Sequence, residues 1–248
     1  MALAIPGCYS RATALWREKM ARTKQKASEQ REKTPAQERR NELAAAIRAR
    51  GERGSNIWLL RPPFQSRDLV LNSDLQFEAF YVVEGEPTFR QIRYLPGWYQ
   101  AHEHESPSDA SKDFAVVTTL DEQEFSVRLA FDANPGETAN ALTPLHGEIR
   151  VHIGVLDSHI QRVENWRRVI PCIRRVRLHA TSAIERQIAL MVHARRRLSL
   201  RDLRERFLDV DAAIFFGSVA ILLRRRELQS DLDTRPWSLN TCVWTEAP

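Results

Sequence analysis

Cysteine is scarce in this chain. Three are present among 248 residues, Cys8, Cys172 and Cys242, far apart and never in a CxxC pair. That argues against a disulfide framework or a zinc ribbon, and a reducing cytoplasm is the simplest expected setting. The three thiols read as packing or surface residues. Long apolar runs are also missing: none approaches the roughly 18 residues that span a bilayer, so no membrane partner is expected. The opening MALAIPGCYSRATALW is briefly apolar but lacks a basic leader followed by a long apolar region, so no secretory signal is expected. Met20 opens a strongly basic segment and is a second candidate start. Neither GxxxxGK[ST] nor GxGxxG occurs, which argues against nucleotide binding through those loops. A Gly-flanked serine elbow and a Cys/His pair are likewise absent, which argues against nucleophilic hydrolysis.

Charge is plentiful and segregated. The net charge is +5. Residues 1–56 hold 13 Lys or Arg against 6 acids, residues 57–145 hold 6 against 14, and residues 146–235 hold 18 against 11. Two basic regions flanking an acidic middle predict a polyanionic partner, with DNA first, because the excess is rich in arginine and the guanidinium fork suits phosphate. The candidate DNA-binding residues are Arg195, Arg196 and Arg197, and Arg224, Arg225 and Arg226; a further cluster is Arg174, Arg175 and Arg177. The first two clusters lie at predicted helix ends, where cations also stabilise the helix dipole.

Residues 10–50 are charged, Ala-rich and free of glycine. They predict a helical or partner-ordered basic arm, with Thr34 as N-cap and Pro35 at the first helical position. GERGSN at 51–56 is a breaker and a domain boundary. NIWLL then reads as a short strand or turn edge, and RPPFQSRD as a loop. The stretch SDLQFEAFYVVEGEP predicts a helix capped by Ser73, with Asp74 near its positive end and Leu75, Ala79, Val82 and Val83 at helical spacing. TFRQIRYLP, WYQAHEHE, KDFAVVTTL and EFSVRLAFD follow as strands, and IRVHIGVL as another after a loop. Asp157 is expected to start a helix that Pro171 limits or kinks. In AHEHE, His102 and His104 could hold a transition metal from one face of a strand. No third ligand is evident and the surroundings are loop-like, so a solvated loop is the expectation. The tail predicts three helices and a hairpin: TSAIERQIALMVHARRR, SLRDLRERFL with a Ser199–Asp202 capping box, a third helix started by Asp209 or Asp211, and two short strands in LQSDLDTRPWSLNTCVW. That order is a winged helix. The third helix is apolar nearly throughout, which favours phosphate contact, a protein interface or a core position over base reading.

Three segments together resemble the TnsA-type transposon endonuclease subunit: NIWLLRPPFQSRDLVLNSDLQFEAFYVVEGEP, the strand DFAVV, and SLRDLRERFLDVDAAIFFGSVAILLRRRELQSDLDTRPWSLNT. The resemblance covers roughly residues 55–245. It implies an α/β fold in which a restriction-endonuclease-like mixed-sheet domain, 56–178, is followed by a winged-helix domain, 179–248, with the basic arm at 1–55. It implies as partners DNA, a DDE-type transposase and an AAA ATPase of the same element. The family cuts DNA with a helix Glu, a strand Asp, and a Gln or Glu two residues before a Lys; its carboxylates hold Mg²⁺, and the lysine stabilises phosphoryl charge. Matched residue by residue, the helix acid falls on Gln76 and the strand acid on Asp113, leaving Asp113 as the metal candidate. EFSVRLAFD contains no lysine, and Arg128 stands about where the acidic ligand belongs. The expectation is a transposition subunit with lost or weakened nuclease activity. The alternatives are an active Mg²⁺-dependent endonuclease cutting transposon ends and a winged-helix transcriptional regulator.

Overall fold

The computed structural model of the chain describes residues 40, 41, 43, 44, 47, 48, 56–95, 113–130, 142, 144 and 147–245. The chain divides into two units, Met1–Asn41 and Glu42–Pro248. Arg40, Asn41, Leu43, Ala44, Ile47 and Arg48 are helical, as the TPAQERRNELAAAIRAR segment predicts. WYQAHEHE, with His102 and His104, lies outside the described residues, as does Cys8.

The strands β1 (Trp58–Leu60) and β2 (Leu69–Leu71) form an antiparallel hairpin. Arg61 pairs with Asp68 at 2.6 Å and draws its loop together. Helix α1 (Asp74–Gly85) follows, and Ser73 caps it by accepting a hydrogen bond from the Gln76 amide. Its apolar residues do not confine themselves to one stripe: Phe77, Ala79, Phe80, Tyr81, Val82 and Val83 are all buried. The hairpin explains part of this, because the Trp58 ring stacks on Phe77 with centroids 3.9 Å apart.

The main sheet comprises β3 (Phe89–Tyr94), β4 (Asp113–Thr119), β5 (Glu124–Leu129) and β6 (Glu148–Val151), in spatial order β3-β4-β5-β6. The first three strands are antiparallel, and β6 runs parallel to β5. One face carries Ala115, Val117, Val127, Ile149 and Val151, all buried, as alternation along a half-covered strand requires. The fold is thus mixed α/β around a four-stranded mixed sheet.

Two expectations fail just after β6. The strand expected over IRVHIGVL stops at Val151, because β5 offers its last partner, Leu129, there. With no neighbour left to pair, the chain turns at His152 into α2 (Ile153–Ser158). Asp157 therefore lies inside α2 and starts nothing; the long helix α3 (Ile160–Val176) begins after His159. Pro171 does not end α3. Pro171 and Arg167, whose carbonyl loses its donor to the proline, both lie on the exposed face, where water can serve that carbonyl.

The tail keeps the predicted three helices and closing pair of strands and adds a strand between the first two helices: α4 (Ser182–Arg195), β7 (Arg197–Ser199), α5 (Leu200–Arg204), α6 (Ala212–Arg224), β8 (Gln229–Ser230) and β9 (Cys242–Trp244). Ser199 and Asp202 form the reciprocal capping box, and Asp211 caps α6 through the amides of Ala213 and Ile214. The three short strands pair in the order β7-β9-β8. Helix α3 packs on both α1 and α6, so it is the spine between the sheet and the tail. Glycine makes both crossings close. A Cβ on Gly85 would stand 2.6 Å from the Trp166 ring, and one on Gly217 would stand 2.4 Å from a Val176 methyl.

Candidate functional site

Asp113 reaches its position through a β-bulge. Two residues of β4 advance against one of β5 between Asp113 and Ala115. Without that extra residue Asp113 would share the parity of Ala115 and Val117 and face the core. The bulge buries Phe114 instead and sets Asp113 opposite Arg128.

The Arg128 guanidinium bridges two acids. Its Nε donates to Asp113 at 2.7 Å, and its Nη1 lies 2.7 Å from Glu148 at the head of β6. Arg150 stands 3.8 Å from the other Glu148 oxygen. The hydrogen bond to Asp113, with the two negative charges, raises the Arg128 pKa above its ordinary value against the opposing effect of burial. Arg128 therefore stays a cation, and it takes the carboxylate lone pairs that a metal would need. Among the described residues, no group of three or more His, Cys, Asp or Glu side chains is placed to hold a metal ion. The donor set that the described residues place around Asp113 does not fit Mg²⁺, which demands near-octahedral oxygen ligation.

Gln76 is not drawn into this strip. It is buried, and its Oε1 accepts the Asn72 amide at 2.8 Å, closing the turn into α1. Glu78 lies among Asp74, Asp157 and Glu164, and partial burial, then these charges, raise its pKa. No hydrogen bond or ion pair joins Gln76 or Glu78 to Asp113. Glu148 is the participant that sequence reasoning missed. Its only signal was an acid opening a strand, and its relevance depends on the parallel pairing of β6 with β5.

The two predicted arginine clusters differ in placement. Arg195, Arg196 and Arg197 are all exposed where α4 hands over to β7. Arg196 takes the left-handed region there, with φ 62°. Arg197 lies over the Trp244 ring, 4.8 Å from its centroid. Arg224, by contrast, is buried, and Arg226 is half-buried. Arg224 is 5% exposed, and its Nε donates to the buried Glu84 carboxylate, which also accepts from the Tyr94 hydroxyl at 3.0 Å. Arg226 donates to the Glu84 and Phe89 carbonyls. Burial and the neighbouring Arg224 charge lower its pKa to about 9, so it remains charged at neutral pH. Arg225 alone is exposed, and it pairs with Glu185 at 2.7 Å.

Next to this pair lies a second ionic set. Arg162 on α3 binds Glu86 at 2.6 Å and Asp233 at 2.6 Å. Asn165, one turn along, donates to the carbonyls of Leu232 and Arg235 and accepts the Trp237 amide. The β8–β9 connection is thereby tied to α3. Nine of the thirteen residues of α6 are buried, so its sides are taken up by packing.

No protein-family model, curated protein or solved structure matches this chain.

Proposed function

We propose that the chain is a DNA-binding assembly subunit of a transposition machinery, TnsA-like in layout and without strand cleavage of its own. The observation that carries this is Arg128, which ties Asp113 to Glu148 where a nuclease would place its metal. Layout adds support. A helix, three antiparallel strands and a parallel fourth make the order expected of a restriction-endonuclease-like domain. The succession α4-β7-α5-α6-β8-β9, with strand order β7-β9-β8, is that of a winged helix. In this proposal Arg195, Arg196 and Arg197 contact DNA phosphates. The partners are a DDE-type transposase and an AAA ATPase of the same element, in a cytoplasmic setting. Among the described residues, no helix is long and apolar enough to cross a membrane. A transcriptional regulator reading bases with α6 is disfavoured, because the packing of α6 leaves little of it to enter a groove.

The test is cleavage of transposon-end DNA with Mg²⁺ or Mn²⁺, by wild type and Asp113→Ala, with and without the partner proteins. The expected outcome is no cleavage by either, with DNA retention that rises when partners are added. Cleavage by wild type that vanishes in Asp113→Ala would establish the active endonuclease instead.

A further inference from the structure

Helix α3 buries Val163, Trp166, Val169, Ile170, Ile173 and Val176. At about 100° per residue the opposite side centres on Pro171. Arg167, Arg168, Arg174 and Arg175 all fall within about 60° of that line, and all four are exposed. Arg167 is partly neutralised: it pairs with Glu164 at 3.0 Å and lies over the Phe77 ring. Arg168, Arg174 and Arg175 have no ion-pair partner among the described residues. Arg61, Arg128, Arg162 and Arg224, by contrast, are spent on carboxylates.

The helix dipole accounts for only part of this. Its effect is confined to the last turn, which holds Arg174 and Arg175 and not Arg167 and Arg168. Intrahelical pairing covers only Arg167, which takes Glu164 on the same face; the position between the two arginine pairs, where an acid would bind both, is Pro171. The result is a cationic strip from Arg168 to Arg175 about 10.5 Å long, the rise of seven residues, with the Arg167–Glu164 pair beside its start. Each strand of a DNA duplex presents a phosphate about every 3.4 Å of axis, so a strip of this length meets about three. Planar guanidinium forks suit those oxygens. A rigid helix packed on both flanks holds them in fixed register.

We infer that the exposed face of α3, through Arg168, Arg174 and Arg175, is a docking surface for the phosphate backbone of duplex DNA, separate from the Arg195–Arg197 cluster. It rests on DNA being the partner, and not on transposition. It reads no bases and sets the orientation of the chain on the duplex.

The experiment measures affinity of the full chain for a 30-base-pair duplex against salt concentration. It uses wild type, R168Q/R174Q/R175Q, R168K/R174K/R175K and R195Q/R196Q/R197Q. Gln is a good helix former, so thermal melts of the α3 variants should match wild type. The expected result is a log–log salt slope shallower by about 2.7 in the α3 Gln variant, from three lost phosphate contacts, with the Lys variant keeping the wild-type slope. Affinity of the Gln variant should fall at least about tenfold at low salt. An unchanged slope and affinity in that variant overturns the inference. So does a wild type that does not bind the duplex. If only R195Q/R196Q/R197Q loses slope, this surface is wrong and the proposed function stands. If the α3 variant loses slope but partners never raise DNA retention, this surface stands and the transposition proposal falls.

Discussion

A single guanidinium decides the character of the Asp113 strip. Arg128 supplies a fixed positive charge between Asp113 and Glu148. Arg128 is about two-fifths exposed, so the pair itself contributes little stability, on the order of 1 kcal/mol or less. Its larger effect is on what the two acids can bind. Arg128→Glu should therefore convert the strip from salt bridge to ligand set, with a third carboxylate beside Asp113 and Glu148. The expected outcome is Mn²⁺ binding detectable by calorimetry in the variant and not in wild type, together with a melting temperature that rises on adding the metal. If the variant binds no Mn²⁺, the geometry around Asp113 is not that of a former metal site. The sequence allowed part of this to be read. The absence of lysine from EFSVRLAFD and the misplaced charge of Arg128 were visible as residue types. The bulge that turns Asp113 outward was not, because it is a property of register between two strands.

Between elements, closeness is set by glycine. At Gly217, α6 approaches α3 so nearly that a methyl group would overlap Val176. Gly217→Ala should gain helix propensity and still destabilise, by about 1–3 kcal/mol, because the overlap is with a rigid β-branched side chain. Val176→Ala in the same chain opens the space. The double variant should then lose less than the sum of the two single losses, a non-additivity that chemical denaturation can measure. Strict additivity would mean that the helices do not meet at these residues. Elements whose signals are local were legible in the sequence: the Ser73 cap, the Ser199–Asp202 box and the Asp211 cap all act within one helical turn. Those decided by distant partners were not. Nothing in IRVHIGVL announces that β6 runs out of partner at Val151, and β2, three residues long, is held as a strand by β1 alone.

At the scale of the whole molecule, the sheet and the tail are joined by buried charge. Glu84 and Arg224 are 140 positions apart and pair where water is excluded. Neither could be read as a partner of the other from sequence, and RRR at 224–226 looked like a surface cluster for that reason. Removing one member of such a pair strands the other, at a cost of about 3–5 kcal/mol. That is a large share of the roughly 5–15 kcal/mol that holds a domain folded. Arg162 and Asn165 add further ties between α3 and the β8–β9 connection. The described fold from residue 56 to 245 should accordingly unfold as one cooperative body, although the resemblance implies a boundary near residue 178. Urea denaturation followed by tryptophan fluorescence and by far-ultraviolet circular dichroism should give coincident transitions, and Arg224→Ala should move both together. Replacing both partners, Glu84→Leu with Arg224→Leu, should cost less than the two single changes summed, since neither charge is then left buried alone. Separate transitions for the two probes, or an Arg224→Ala effect seen by only one of them, would mean that the sheet and the tail are independent bodies and that this ionic junction does not couple them.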